Sequence, residues 1–484
     1  MPASSQSPAG PCPPSSATTS ANVAPPPPAA TPSAPRPPGV PPGARADAPP
    51  DAKAPPRPSP AGGRARLEWL DALRGLAAVV VVFEHSLDVL FPEIRAGVSP
   101  WFDFGRYGVF VFFIVSGYIV PASLERRGSV REFWIGRMFR LYPLWAVAAV
   151  IGVGIGLAKV AWDPPGQLTE RPGISALAHL TMLQDLLAVP NAVNVFWTLS
   201  YEMVFYLLVT AMFVAGVHRA SAATAAAFAV AAAAAGALLP TGLLSSRAPM
   251  GTIVVTALVM AVGLVAVMSG RRTARRCGVA ILGVLALALV TVNSRVGGVE
   301  SLAIIATMFA GTGIYRIQHV RNRRWPAVAL VALVPVLTVA AGAGLALTER
   351  TAAYQATGVW GWPAAVAAAW LTFLAGMALR GRRFPRFLPW LGVISYSIYL
   401  LHIPVVQIIW RITDEPEAIS APVRLLWLLV LAAGVLVTSA LAYRHVELPM
   451  QRMGRRVIRM RRAARTAPAA EAGRPSPATT AGSG

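Results

Sequence analysis

The chain reads as an all-α, polytopic transmembrane helix bundle of about 10–12 spans. Three observations lead there. Of 484 residues, 55% are hydrophobic and only 13% charged, whereas a soluble domain is roughly a quarter charged. The apolar residues gather into blocks of about 20, each long enough to cross a bilayer core as a helix. The arginines gather between those blocks, in alternate connections. Helices follow because backbone groups in lipid need partners within their own segment.

In chain order, residues 1–63 are rich in Pro, Ala, Gly and Ser, with the run Pro25 to Pro28; they cannot bury a core and are expected to be a disordered tail. A membrane region over 64–450 follows. Its expected spans are about 67–90, 105–123, 141–160, 196–217, 222–240, 250–269, 277–293, 299–315, 325–347, 358–379, 389–410 and 423–443. The first block starts far from Met1, so it is expected to be an uncleaved anchor, not a signal peptide. The longest connection, about 161–195, holds Pro164, Pro165, Pro172 and Pro190 and the semi-apolar stretch Ile174 to Val189. It reads as a re-entrant or interfacial segment over a site. Residues 451–484 read as a basic, largely disordered tail.

The net charge of +22 raises nucleic acid as a partner, but the positions of the arginines argue against it. With a cytoplasmic N-terminus, inner connections receive Arg126, Arg127 and Arg131, then Arg271, Arg272, Arg275 and Arg276, then Arg380, Arg382, Arg383 and Arg386. Outer connections receive mostly single arginines, such as Arg95, Arg295 and Arg424. The positive-inside rule then puts both termini in the cytoplasm, with the chain in a cell inner (plasma) membrane. Cys12 and Cys277 are too few and too far apart for a disulfide framework or a metal site.

Ionisable groups inside spans are costly and tend to be functional. Arg74 and His85 lie eleven positions apart on the first span, close to three helical turns. They share a face about 16 Å apart along the axis. Arginine suits phosphate recognition, and neutral imidazole suits removal of a hydroxyl proton near neutral pH. The plain alternative is a snorkelling arginine and a histidine bonded between helices. Arg137 and Arg140 are spaced i, i+3, so they share a face and could clamp a phosphate; for an isolated pair, ordinary flanking charge is the better explanation. Glu202, in the first turns of the span opened by Trp197 and Ser200, could orient a histidine or balance an arginine. Tyr396, Tyr399 and His402 form a polar stripe at three-residue intervals, lining a channel or joining helices.

Together these pieces resemble the acyltransferase-3 family of integral membrane O-acyltransferases. The resemblance runs from about Leu67 to Met450. It is carried by Leu73 to Ala77 with Arg74 and His85, by Gly108 to Gly117, and by Arg137, Arg140, Tyr142 and Pro143. Trp197 to Glu202, the element ending at His402, and Glu447 with Pro449 complete it. No single motif is decisive; their order along one chain is specific. Many relatives carry a second glutamate where this chain has Met203.

The resemblance implies acyl transfer to a hydroxyl of a glycan, glycolipid or sugar-bearing metabolite, acetyl being the family default. Acyl-CoA is then the co-substrate, with no resident cofactor and no metal. Arg74, Arg137 and Arg140 are expected to hold the donor, His85 to be the base and Glu202 to support it. Trp197, Ser200, Tyr396, Tyr399 and His402 are expected along the substrate channel. A secondary transporter is the alternative, since such proteins also have about twelve spans and cytoplasmic termini; they often show two related halves, which this chain lacks.

Overall fold

The computed structural model describes residues 60–319, 324–347, 360–414 and 416–471. The tail expected over 1–63 falls almost wholly outside these residues, as do 472–484. Among the described residues every regular element is helical. The main helices are α1 (Pro60–Leu90), α2 (Phe104–Arg127), α3 (Val130–Leu157), α4 (Pro172–Leu180), α5 (Trp197–Ala215), α6 (Ser221–Ala235), α7 (Pro249–Met268) and α8 (Arg272–Val292). They continue with α9 (Gly298–His319), α10 (Arg324–Leu347), α11 (Gly361–Ala378), α12 (Phe387–Val393), α13 (Ser395–Thr413), α14 (Ala421–Ala442) and α15 (Leu448–Glu471).

Ten of the described helices are long and apolar enough to cross a membrane, and the bent pair α12–α13 brings the number to 11. α1 stands outside that set because Asp71, Arg74, Glu84 and Asp88 interrupt its apolar run. It nevertheless packs centrally, with Trp69, Leu70, Ala77, Ala78 and Val81 buried. Surface composition marks the lipid side. α7 exposes Val254, Leu258, Val262 and Val265, and α14 exposes Leu425, Leu429 and Val437. Apolar stripes of that extent on an isolated chain need a hydrocarbon solvent. The inner helices are α2, α5 and α9; α9 is buried over nearly its whole apolar length, from Gly298 to Ile314.

Close approach of backbones sets how these helices cross. Where α2 meets α9, a Cβ on Gly117 would collide with the Met308 carbonyl, and one on Gly311 with that of Ile114. Small residues at a crossing let helices in lipid gain dispersion contacts that larger side chains would prevent. Pro121 inside α2 has no N–H to give the carbonyl four residues back. That carbonyl belongs to Gly117, and the Thr312 hydroxyl donates to it at 2.8 Å. A proline-freed acceptor is thus satisfied by the neighbouring helix, as the membrane interior requires.

Part of the connection 161–195 packs against the helices. Met182, Leu183, Leu186 and Leu187 are buried, and Tyr142 donates to the Leu180 carbonyl at 2.8 Å. His179 fastens the segment: Nδ1 pairs with the Ser175 carbonyl at 2.8 Å, while Nε2 accepts the Ala192 N–H at 3.1 Å. This arrangement requires the neutral imidazole, and burial lowers the His179 pKa below its ordinary value. The C-terminal end departs from expectation. Instead of a largely disordered tail from 451, α15 continues α14 through a π-helical turn at Tyr443–Glu447. It is held against α3 by Gly454 on Phe139 and by Arg462 donating to Glu132 at 2.8 Å.

Two outcomes test this packing. Gly117→Leu should cost at least the 1–3 kcal/mol typical of overpacking, read as a lower melting temperature and loss of monodisperse protein in detergent. Gly154→Leu, where a Cβ meets nothing within 4 Å, should not. Because its folded pKa is lowered, His179 contributes stability that is present above about pH 6.5 and is lost as pH falls below that value. Hydrogen exchange at the Ala192 amide, corrected for intrinsic rate, should therefore rise between pH 7.5 and about pH 5. An unchanged pH response in His179→Gln would assign that opening to another group.

Candidate functional site

One cavity, of about 110 Å³, gathers side chains from five separated parts of the chain. α1 supplies Arg74, α3 supplies Arg137 and Arg140, α5 supplies Thr198 and Glu202, and α13 supplies Ser395, Tyr396 and Tyr399. Phe112, Phe113, Ser116 and Val120 of α2 give it an apolar side. The i, i+3 spacing of Arg137 and Arg140 turns both guanidinium groups inward. The break between α12 and α13, a bend of 76°, brings the first turn of α13 to the same place.

The cavity is an electrostatic cluster. The charges of Arg140, Asp71, Glu447 and Glu202 all act on Arg74, whose Nη1 lies 3.9 Å from Asp71. Glu202 accepts the Tyr206 hydroxyl, and Arg137 sits over the Tyr206 ring at 5.2 Å from its centroid. Buried Glu447 accepts from Ser397 at 2.8 Å and from Gln451 at 2.9 Å. Of these groups, the three arginines and Glu202 line the opening itself, and planar guanidinium groups suit the phosphate or carboxylate of a ligand.

His85 lies outside this lining. Its Nδ1 pairs with Asp88 at 3.1 Å, and its ring centroid is 5.3 Å from that of His402. His402 is fully buried, with Nδ1 on the Ile398 carbonyl at 3.0 Å and no partner for Nε2 among the described residues. Tyr399, on the cavity wall, stands 6.0 Å centroid to centroid from His402. The cavity therefore ends at a Tyr399–His402 wall with His85 behind it. Asp88 is joined by Arg95 at 3.0 Å, which also reaches Glu84 at 2.8 Å. The Asp88 side chain is 39% exposed, so the His85–Asp88 pair lies at the surface of the protein.

Several expectations need correcting. The carboxylate beside His85 is Asp88, three residues on along the same helix; Glu202 belongs with the arginines. Of the five channel residues, Tyr396 and Tyr399 line the cavity, with Tyr396 donating to the Leu141 carbonyl at 2.9 Å and Tyr399 within 3.1 Å of the Thr198 hydroxyl. Trp197 instead lies under Arg106, 4.9 Å from its ring centroid. Ser200 is buried and accepts the Asp185 N–H at 3.3 Å, tying down the 161–195 connection. His402 stands in the end wall beside Tyr399 and packs on His85. Thr198 was missed, although it precedes Glu202 by one helical turn. Asp88 was missed although His-x-x-Asp is the spacing of a helical pair.

A family model described as an acyltransferase domain (Acyl_transf_3) matches residues 67–444. The fold and this arrangement define a polytopic membrane protein with a charged intramembrane site. The chain belongs to that acyltransferase family. It is 30% identical over 150 residues to the acyltransferase MdmB of Streptomyces mycarofaciens, covering 29% of this chain and 38% of that one. It is 27% identical over 155 residues to the peptidoglycan O-acetyltransferase OatA of Listeria monocytogenes, covering 29% and 23%. It is 29% identical over 153 residues to the putative membrane-bound transacylase BcsY of Komagataeibacter xylinus, covering 30% and 36%. These matches thus span well under half the length of each relative. No solved structure matches.

Asp88→Asn keeps the shape beside His85 and removes the charge that would balance an imidazolium. In an acyl-transfer assay with purified protein, turnover should fall by roughly ten- to a hundredfold with little change in donor KM. Turnover equal to wild type would reduce Asp88 to a surface contact of Arg95.

Proposed function

We propose that this protein is a membrane O-acyltransferase that moves an acyl group, acetyl by default, from acyl-CoA to a hydroxyl of a carbohydrate, glycolipid or sugar-bearing metabolite. The observation that carries the reading is the single cavity ringed by Arg74, Arg137 and Arg140, with the His85–Asp88 pair behind its far wall. The family membership and the names of the relatives, two of them acyl- or acetyltransferases, support it.

In this reading the cationic cluster holds the anionic part of the donor. The acyl-bearing arm enters the cavity and the nucleotide stays at its mouth. The eleven residues from Arg74 to His85 set a rise of about 16 Å that the pantetheine arm bridges. The thioester then reaches the Tyr399–His402 wall, which moves aside to admit it. The acceptor enters from the solution side of Asp88. His85 takes the hydroxyl proton, the oxygen attacks the thioester carbonyl, and the C–O bond forms as the C–S bond breaks. The departing thiolate takes the proton from the imidazolium, giving an ester and free thiol, with Asp88 countering the transient charge. Holding donor and acceptor in one site supplies the proximity contribution. With the arginine-rich connections in the cytoplasm, donor and acceptor arrive from opposite faces of the plasma membrane. No resident cofactor and no nucleic acid enter the scheme.

His85→Ala should lower turnover by about 10²–10⁴-fold with the protein still inserted and monodisperse. Arg137→Lys and Arg140→Lys keep the charge and lose the planar fork. Each should weaken acyl-CoA affinity by roughly ten- to a hundredfold, leave acceptor affinity nearly unchanged, and have little effect on a truncated thioester lacking the nucleotide. Equal losses with both donors would make these arginines anchors of α3 only. Substrate flux without acylated product, with mass spectrometry of glycans and metabolites finding no lost acyl unit in cells lacking the gene, would return the protein to the transporter class.

A further inference from the structure

The opposite face of α3 carries a second site. Two adjoining hollows, of about 620 and 560 Å³, share Arg131, Ile135, Met268 and Arg461 and form one groove between α3, the end of α7 and α15. Arg275, at the start of α8, joins Arg131 and Arg461 at the first hollow. All three guanidinium groups belong to exposed residues, and none forms an ion pair among the described residues. Glu132, the acidic residue at this edge, is already engaged by Arg462 at 2.8 Å. The second hollow is apolar, floored by Trp134, Met138 and Phe139.

We propose that this groove binds one anionic phospholipid, with its phosphate on Arg131, Arg275 and Arg461 and an acyl chain along Trp134, Met138 and Phe139. A cationic rim that opens directly onto an apolar floor on a membrane-facing helix matches a molecule with an anionic head and a hydrocarbon tail. A zwitterionic head leaves those three charges unbalanced. A soluble phosphate leaves the floor bare. The occupant would bridge α3 to α15, adding to the Arg462–Glu132 pair. Arg131 lies six residues before Arg137, but on a different face of the helix, so the lipid and the donor arginines do not compete for space. The proposal does not depend on the reaction assigned to the cavity.

Native mass spectrometry of detergent-purified full-length protein, equilibrated with equal phosphatidylglycerol and phosphatidylcholine, tests it. Wild type should retain one phosphatidylglycerol in preference to phosphatidylcholine. Arg131→Gln or Arg461→Gln should each weaken retention about fivefold, and the triple variant with Arg275→Gln about a hundredfold. Arg131→Lys should restore it, since a point charge suffices for a phosphate. Size-exclusion profiles confirm that the variants fold, and the single variants keep the test decisive if the triple one does not. Equal retention of the two lipids by wild type, or undiminished retention by Arg131→Gln and Arg461→Gln, would overturn the proposal. So would displacement of phosphatidylglycerol by coenzyme A, which would give the groove to the nucleotide end of the donor.

Discussion

α1 and α12 touch backbone to backbone, and the rest of the site depends on that contact. A Cβ on Gly75 would stand 2.6 Å from the Leu388 carbonyl, and one on Gly392 would collide with that of Asp71. With no side chain between them, α12 lies flat on the turn of α1 that carries Arg74. The chain can continue only by bending, and α13 starts at 76° to it. Ser395, Tyr396 and Tyr399 therefore reach the arginines, and Ser397 reaches Glu447. A larger residue at either glycine would push α12 outward and separate Tyr396 from its acceptor on α3.

A second constraint is charge inside an apolar bundle. Ions removed from water need compensating charges and hydrogen bonds. At one end of α1 three arginines, Arg74, Arg137 and Arg140, stand with three carboxylates, Glu202, Glu447 and Asp71. At the other end carboxylates predominate: Glu84 and Asp88 share Arg95. One helix thus carries different electrostatic conditions at its two ends, with histidine at the second.

The parts of this arrangement that lie on one helix were legible in the sequence. Apolar length marked the spans, and i, i+3 spacing put Arg137 and Arg140 on one face. The elements that join helices were less so. Glu202 and His85 are both intramembrane ionisable groups, and nothing in their spacing says that α5 delivers its carboxylate to the arginines. The α12–α13 break contains no proline; Val393, Ile394 and Ser395 read as continuous helix, and only the packing of Gly392 reveals the bend. Glu447 was recognised within a motif but given no role, because its partner Ser397 is 50 residues away. The basic tail looked disordered by composition; contacts with Phe139 and Glu132 on a distant helix order its first turns.

The π-helical turn at Tyr443–Glu447 joins α14 and α15 into one continuous element, Ala421–Ala464, of 44 residues. At 1.5 Å per residue it is roughly 66 Å long if straight, against a hydrocarbon thickness of about 30 Å. About half of it must lie outside the hydrocarbon. The joint falls at Glu447, which accepts from Ser397 and whose charge acts on Arg74, so one continuous element carries both a carboxylate of the charged cluster and the basic run that includes Arg462.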